Sequence, residues 1–310
     1  MMTGIPNTIV PHLWYDKEAK EAAEFYASVF PDSKVTNLTT LHDTPSGDME
    51  TATFEISGQR FMAIGAGPQF KFNPSVSFMV NFDPSVNKRA KEALETVWDK
   101  LSKEGKPLMP LDRYPFSDLY GWIEDKYGIS WQLILTNPDG EPRPAIIPSL
   151  LFVSDTGEQA EEATNYYLSV FNQAKRGQLA RYPGGMEPNK EGAIMFTDFT
   201  LENQWFAAMD GNSHIHNFAF NEAISFVVYC ESQKDIDYFW TKLSAVPEAE
   251  QCGWLKDKYG VSWQIVPAAM HEMMTRGTRQ QIDRLTQTFM PMKKLELEEL
   301  KRAYEGPSFD

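Results

Sequence analysis

The sequence predicts an α+β protein made of four βαβββ modules, two in each of two tandem halves. Three observations carry this. First, a block of sixteen residues occurs twice, as YGWIEDKYGISWQLIL from Tyr120 to Leu135 and CGWLKDKYGVSWQIVP from Cys252 to Pro267, with nine positions identical. Second, earlier blocks recur in the same order. IVPHLWYDKEAKEAAEFYASVF (Ile9 to Phe30) matches IIPSLLFVSDTGEQAEEATNYYLSVF (Ile146 to Phe171), FEISGQRFMAI (from Phe54) matches FTLENQWFAAM (from Phe199), and FNPSVSFMV (from Phe72) matches FNEAISFVV (from Phe220). The offset drifts between 132 and 148 residues, which places insertions in the connections between retained elements. Third, the strand–helix–strand order starts over once inside each half.

The elements follow in order. Residues 8–15 alternate and read as a strand. Over 17–30, Ala19, Ala22, Ala23, Tyr26, Val29 and Phe30 form one apolar helical stripe, which Pro31-Asp32 stops. Strands are predicted at 34–41, 49–57 and 60–65. The second module repeats this as strand 75–82, helix 87–104 and strands near 108–112, 119–125 and 129–136. Gly128 and Gly260 suit the turn before each last strand, where a positive φ costs glycine little. On that strand Trp131 and Trp263 face one side, toward a core, and Gln132 and Gln264 the other. A Pro-rich linker around Pro138–Pro144 separates a first domain, 1–139, from a second, 145–269. The tail, 270–310, reads as helical segments split by Gly277 and Pro291, with methionines that fill gaps on the body.

Composition narrows the function classes. With 29 Lys and Arg against 43 Asp and Glu, the net charge of −14 opposes binding to phosphate backbones, so no nucleic-acid partner is expected. No apolar run is long enough to span a bilayer, and the start lacks the basic-then-apolar pattern of a secretory signal. Two cysteines, Cys230 and Cys252, fit neither a disulfide framework nor a zinc knuckle, and a cytoplasmic location is expected. IGAGPQF contains a GxG, but Pro68 follows and no helix opens there, so a nucleotide-type cofactor cradle is missing.

Taken together, IVPHLWYD, KEAAEFYASVF, FMAIGAGPQFKFN, FNEAISFVV and GWLKDKYGVSWQIVP resemble the PhnB-like branch of the vicinal oxygen chelate superfamily, the glyoxalase and bleomycin-resistance group. Its members often carry the label 3-demethylubiquinone-9 3-methyltransferase. The likeness spans residues 8–137 and 146–268. It implies tandem glyoxalase-like domains in which two modules enclose one ligand cleft, so one chain holds two clefts and forms a tethered pseudo-dimer, as a monomer or a homodimer. Metal-using members take one ligand from the first strand of a module and another from its last strand, as His, Glu or Gln. The matching positions here are Val10 and Ile147, Ser77 and Ser225, and Gln132 and Gln264. One neutral glutamine per cleft is not a metal site, so no cofactor is expected. A slip of the first strand would bring in His12, whose counterpart in the repeat is Ser149.

The candidate ligand-binding residues are His12, Trp14, Ser77, Arg113, Tyr114, Phe116, Gln132, Ser225 and Gln264. His12 and Trp14 face a cleft if Leu13 and Tyr15 face the core. They are expected to share that cleft with Ser77 and Gln132, beneath a loop bearing Arg113, Tyr114 and Phe116. The second half has Ser149 and Leu151 in place of His12 and Trp14, and is ten residues shorter before its closing hairpin, a lost strand or lid. His214 and His216 read as part of a loop at the second cleft mouth. The expected function is metal-free binding of a small organic molecule, aromatic or amphiphilic. The alternatives are a divalent-metal lyase, isomerase or dioxygenase of the same superfamily, and a non-catalytic antibiotic-sequestering protein.

Overall fold

The computed structural model describes residues 9–44 and 47–306, apart from the side chain of residue 43. Its first module is β1 (Ile9–Tyr15), α1 (Ala19–Val29), β2 (Lys34–Thr44), β3 (Gly47–Ile56) and β4 (Gln59–Gly65). The second is β5 (Val76–Phe82), α2 (Ala90–Ser102), β6 (Lys106–Tyr114), β7 (Ser117–Glu124) and β8 (Ser130–Leu135). The third is β9 (Ile146–Ser154), α3 (Ala160–Val170), β10 (Ala174–Arg181), β11 (Ile194–Leu201) and β12 (Gln204–Asn212). The fourth is β13 (Ile224–Cys230), α4 (Gln233–Leu243), β14 (Trp254–Lys256) and β15 (Ser262–Pro267). A tail of α5 (Ala268–Arg276), α6 (Arg279–Phe289) and α7 (Leu297–Glu305) follows. The α+β class and the four modules are therefore as the repeats predict, with the fourth one strand short.

Local sequence explains the elements. The stripe on α1 buries Ala19, Ala22, Ala23, Tyr26 and Val29 against its sheet, where small residues let the helix approach closely. Gly128 and Gly260 both sit at φ +90° in the turns before β8 and β15. Trp131 and Trp263 are fully buried in the core. Each is fixed by the aspartate that opens its turn. Asp125 accepts from Trp131 Nε1 and Tyr26 Oη, both at 2.8 Å, and from the backbone N–H groups of Tyr127 and Ile129. Asp257 does the same for Trp263, Tyr167, Tyr259 and Val261.

The modules pair across the halves. One sheet has the order β14-β15-β13-β1-β4-β3-β2 and joins the first module to the fourth. The other has the order β10-β11-β12-β9-β5-β8-β7-β6 and joins the second to the third. At the seams β1 runs antiparallel to β13 and β5 antiparallel to β9. The two crossovers that carry the chain between sheets are tied to each other. Asn73 Nδ2 donates to Ala219 O at 3.0 Å, and Asn221 Nδ2 donates to Lys71 O at 2.8 Å. Each asparagine also accepts from the backbone N–H two residues on, which shapes its own turn. Both copies of the FN motif therefore hold the exchange of modules in place.

The missing strand has a replacement. Before its closing hairpin the fourth module has only a short 3-10 turn, Pro247–Ala249, where the second has β6. The tail passes there instead, and Cys252 N and Gly253 N donate to Met292 O and Lys293 O, each at 2.7 Å.

Candidate functional site

Because the modules exchange, each concave face is built from both halves. The first lies between modules one and four and holds a cavity of about 460 Å³. β1 sends His12 and Trp14 into it while Leu13 and Tyr15 enter the core, as the alternation predicts. From the fourth module come Gln264, Trp254 and Tyr229. His12 meets Trp254 edge to face at 5.5 Å, and Trp14 meets Phe70 at 5.1 Å and Trp254 at 6.0 Å. The Trp14 indole is held by donating to Gly67 O at 2.8 Å.

His12 is the unusual group. It is 6% exposed, and its Nδ1 is buried with no hydrogen-bond partner. Burial pushes its pKa down to about 3, so the ring is neutral near pH 7. A buried polar atom without a partner is costly, which leaves it suited to a partner brought in by a ligand. Gln264 is oriented by donating from Nε2 to Ser225 Oγ at 2.9 Å. Ser225 itself is fully buried beneath it.

The tail forms the far wall, a role the sequence reading did not assign it. Met270, His271, Met274, Phe289, Met290 and Leu295 all line the cavity. Ile282, Leu285, Phe289 and Leu300 pack with Leu41, Met49 and Ala66 of the first module. His271, which has no recognisable partner in the sequence, contacts Arg60 Nη2 at 2.6 Å and lies edge-on to Tyr229. Burial, with a smaller effect from Arg60, lowers its pKa to about 4.

The expected grouping of site residues is corrected by this topology. Ser77 and Gln132 lie on the other sheet from His12, because β5 and β8 pair with the third module. There Gln132 Nε2 donates to Ser77 Oγ at 2.7 Å, and its Oε1 accepts from Tyr120 Oη at 2.8 Å. Arg113, Tyr114 and Phe116 accompany Gln132 rather than His12, since β6 and β7 belong to the same sheet. Tyr114 and Phe116 stack at 5.7 Å and both pack edge-on to Tyr120. Phe116 is 62% exposed, and Arg113 pairs with Asp118 at the surface.

The second face carries a buried apolar cluster along its seam. Met79, Ile147 and Ala207 are buried there, beside Ile134, Phe196 and Trp205. The linker adds Arg143, whose guanidinium lies 4.2 Å over the Trp205 ring and whose Nε donates to Asp198 Oδ2 at 2.8 Å. His214 and His216 fall in and after the turn that follows β12, with His216 packed on Phe218.

The first cavity does not fit a divalent metal. Its inward donors are neutral or already engaged: the imidazole of His12, the amide of Gln264, the Met62 thioether, the Tyr229 phenol, and His271, whose Nε2 faces Arg60 Nη2 at 2.6 Å. The Tyr229 hydroxyl already points at Met62 Sδ, at 3.1 Å. No carboxylate joins them in the interior, and among the described residues no three His, Cys, Asp or Glu side chains converge to hold a metal ion. At the rim, Glu222 is paired with Lys256. Among the described residues no helix is long and apolar enough to cross a membrane.

Comparison with known proteins agrees with the repeats. The family model described as 3-demethylubiquinone-9 3-methyltransferase matches twice, over residues 7–134 and 144–266. The PhnB protein from Bacillus cereus is 36% identical over 41% of this chain and 98% of its own, with a TM-score of 0.37. Glyoxalase I from Zea mays is 12% identical, covers 85% of this chain and 95% of its own, and has a TM-score of 0.52, a likeness of fold. The fosfomycin resistance protein FosX from Listeria monocytogenes is 15% identical over 44% of this chain and 96% of its own, with a TM-score of 0.32. No curated protein matches.

Proposed function

The chain belongs to the 3-demethylubiquinone-9 3-methyltransferase family, the PhnB-like branch of the vicinal oxygen chelate superfamily, and from that membership we propose that it binds a small organic molecule in the cavity between its first and fourth modules, without a catalytic metal. One observation carries the reading: a cavity of about 460 Å³, sized for a small ligand, is lined by the buried, neutral imidazole of His12, whose Nδ1 has no partner. Trp14, Trp254 and Phe70 supply aromatic contact, while His12 and Gln264 supply orientation. The second face acts as scaffold, where the linker packs Arg143 over the Trp205 ring. Both faces are completed within one chain, so a monomer suffices for binding. Two free cysteines and the acidic charge support a cytoplasmic setting.

The family's description names a methyl transfer. Supporting binding over that activity, the sequence has no Gly-rich strand-to-helix turn to cradle a nucleotide-like methyl donor. The test is thermal denaturation with a panel of uncharged aromatic compounds, run beside elemental analysis after exposure to Mn, Fe, Ni and Zn. Aromatic compounds are expected to raise Tm in wild type and not in Trp254→Ala. Near-stoichiometric metal held by wild type and lost in His12→Ala or Gln264→Ala would instead establish a metal enzyme.

A further inference from the structure

Resting on the proposed binding role, we infer the class of ligand: an uncharged, flat aromatic molecule with a hydrogen-bonding group at each of two opposite ends. The register of the first sheet carries this. Asn37 pairs with Thr53, Thr53 with Met62, Met62 with His12, and His12 with Ser225, so these residues form one row across five strands. Asn37, Thr53, Met62 and His12 of that row all line the cavity. His12 and Thr53 are two strands apart, which sets their separation at roughly 10 Å.

Each end presents a polar group: His12, whose Nδ1 has no partner, at one, and the buried Thr53, which lines the cavity, at the other. Asn37 reinforces the Thr53 end: its Nδ2 is committed to Thr39 Oγ1 at 2.9 Å, which turns the amide while leaving its oxygen to accept. Between the ends the floor is mainly apolar, formed by Met62, whose Sδ takes the Tyr229 hydroxyl, and, in the next row, by Ile64 and Trp14. The tail supplies an apolar roof of Met270, Met274, Phe289 and Met290. A slot with an apolar floor and roof and a polar group at each end matches a flat ring system substituted at both ends.

Charge selects the neutral form. The polar groups of the interior are hydroxyls, amides and the imidazoles of His12 and His271, and the nearby Arg60, which faces His271, does not itself line the cavity, so an ionised ligand would lose its hydration without a lining counter-ion. Glu248, a carboxylate that borders the cavity, would also repel an anion at entry.

The experiment is calorimetric titration of wild-type protein with four probes: biphenyl, para-hydroxybiphenyl, para,para′-biphenyldiol and para,para′-biphenyldicarboxylate. The diol is expected to bind about tenfold more tightly than the mono-alcohol, and the dicarboxylate at least tenfold more weakly than the diol. His12→Leu and Thr53→Val should each bring the diol down to the affinity of the mono-alcohol. Equal binding of biphenyl and the diol would overturn two-ended recognition and leave the binding cavity standing. Tighter binding of the dicarboxylate would overturn neutral selection. No binding of any probe would overturn the ligand class, and together with no response to the wider aromatic panel it would overturn the binding role as well. The comparison among probes is read on wild type, so it holds even where a variant fails to fold.

Discussion

Asp125 Oδ2 accepts the indole N–H of Trp131 at 2.8 Å, and Asp257 repeats the same bond to Trp263 at 2.8 Å. This explains why the DKYG.SW block occurs twice. Each aspartate is buried, takes two backbone N–H groups of its turn, and binds a tyrosine from the helix of the partner module in its own half: Tyr26 from α1 for Asp125, and Tyr167 from α3 for Asp257. Since the two modules of one half lie in different sheets, the aspartate ties the two sheets together.

Removing it should therefore cost far more than a turn residue would. Asp125→Ala strands four donors, and a loss of about 3 kcal/mol or more is expected in urea denaturation, with a similar loss for Asp257→Ala. A loss under about 1 kcal/mol would mean that these bonds do not hold the sheets.

The turn glycines should respond alike. At φ +90°, Gly128→Ala and Gly260→Ala are each expected to lose about 1 kcal/mol or more, because a Cβ is strained in that conformation. Equilibrium unfolding of the two single variants and the double variant checks this, and near-additive losses are expected for well-separated turns.

Acid should weaken the fold through the buried histidines. The folded-state pKa of His12 is depressed to about 3, below an unfolded value of about 6.5, so the unfolded chain takes up the proton first. Stability is then retained above about pH 6.5 and falls as pH drops toward 3, with a slope of up to about 1.4 kcal/mol per pH unit. His271, lowered to about 4, acts in the same direction over a narrower window. Denaturation of His12→Leu across this range should show a shallower pH dependence than wild type. Asp125 acts oppositely: burial raises its carboxyl to about 6, so its ionisation lowers stability as pH rises from the unfolded value of about 4 through that value, while its four hydrogen bonds remain.

The tail should be part of the binding site as well as of the core. Leu285 is fully buried against the first module, and Leu285→Ala is expected to cost about 2–5 kcal/mol and to expose the tail to limited proteolysis. Ligand affinity should fall with it. A variant that loosens the tail and binds aromatic compounds as wild type does would remove the tail from the site.

Much of the fold is legible in the sequence because periodicity reports burial directly. The alternation over Ile9–Tyr15 separates Leu13 and Tyr15 from His12 and Trp14, and the gap before Trp254 marks the strand that the fourth module lacks. The pairing of modules is not legible in the same way. It is made by backbone hydrogen bonds between β1 and β13 and between β5 and β9, which any side chains permit. Asn73 and Asn221 leave a side-chain trace of it, and each reads alone as an ordinary turn residue. For this reason His12 reads with Gln132 along the chain and sits with Gln264 in space. The methionines of the tail signal packing, yet nothing in their spacing says that they pack over a cavity.

The most direct test of the account is to titrate para,para′-biphenyldiol into wild type, Trp254→Ala and Gln132→Leu, each shown to be folded by circular dichroism. Trp254 lines the cavity between the first and fourth modules, and Gln132 lies on the other sheet. The account predicts one site per chain in wild type, affinity reduced at least tenfold in Trp254→Ala, and unchanged affinity in Gln132→Leu. Binding that survives Trp254→Ala and is lost in Gln132→Leu would contradict it.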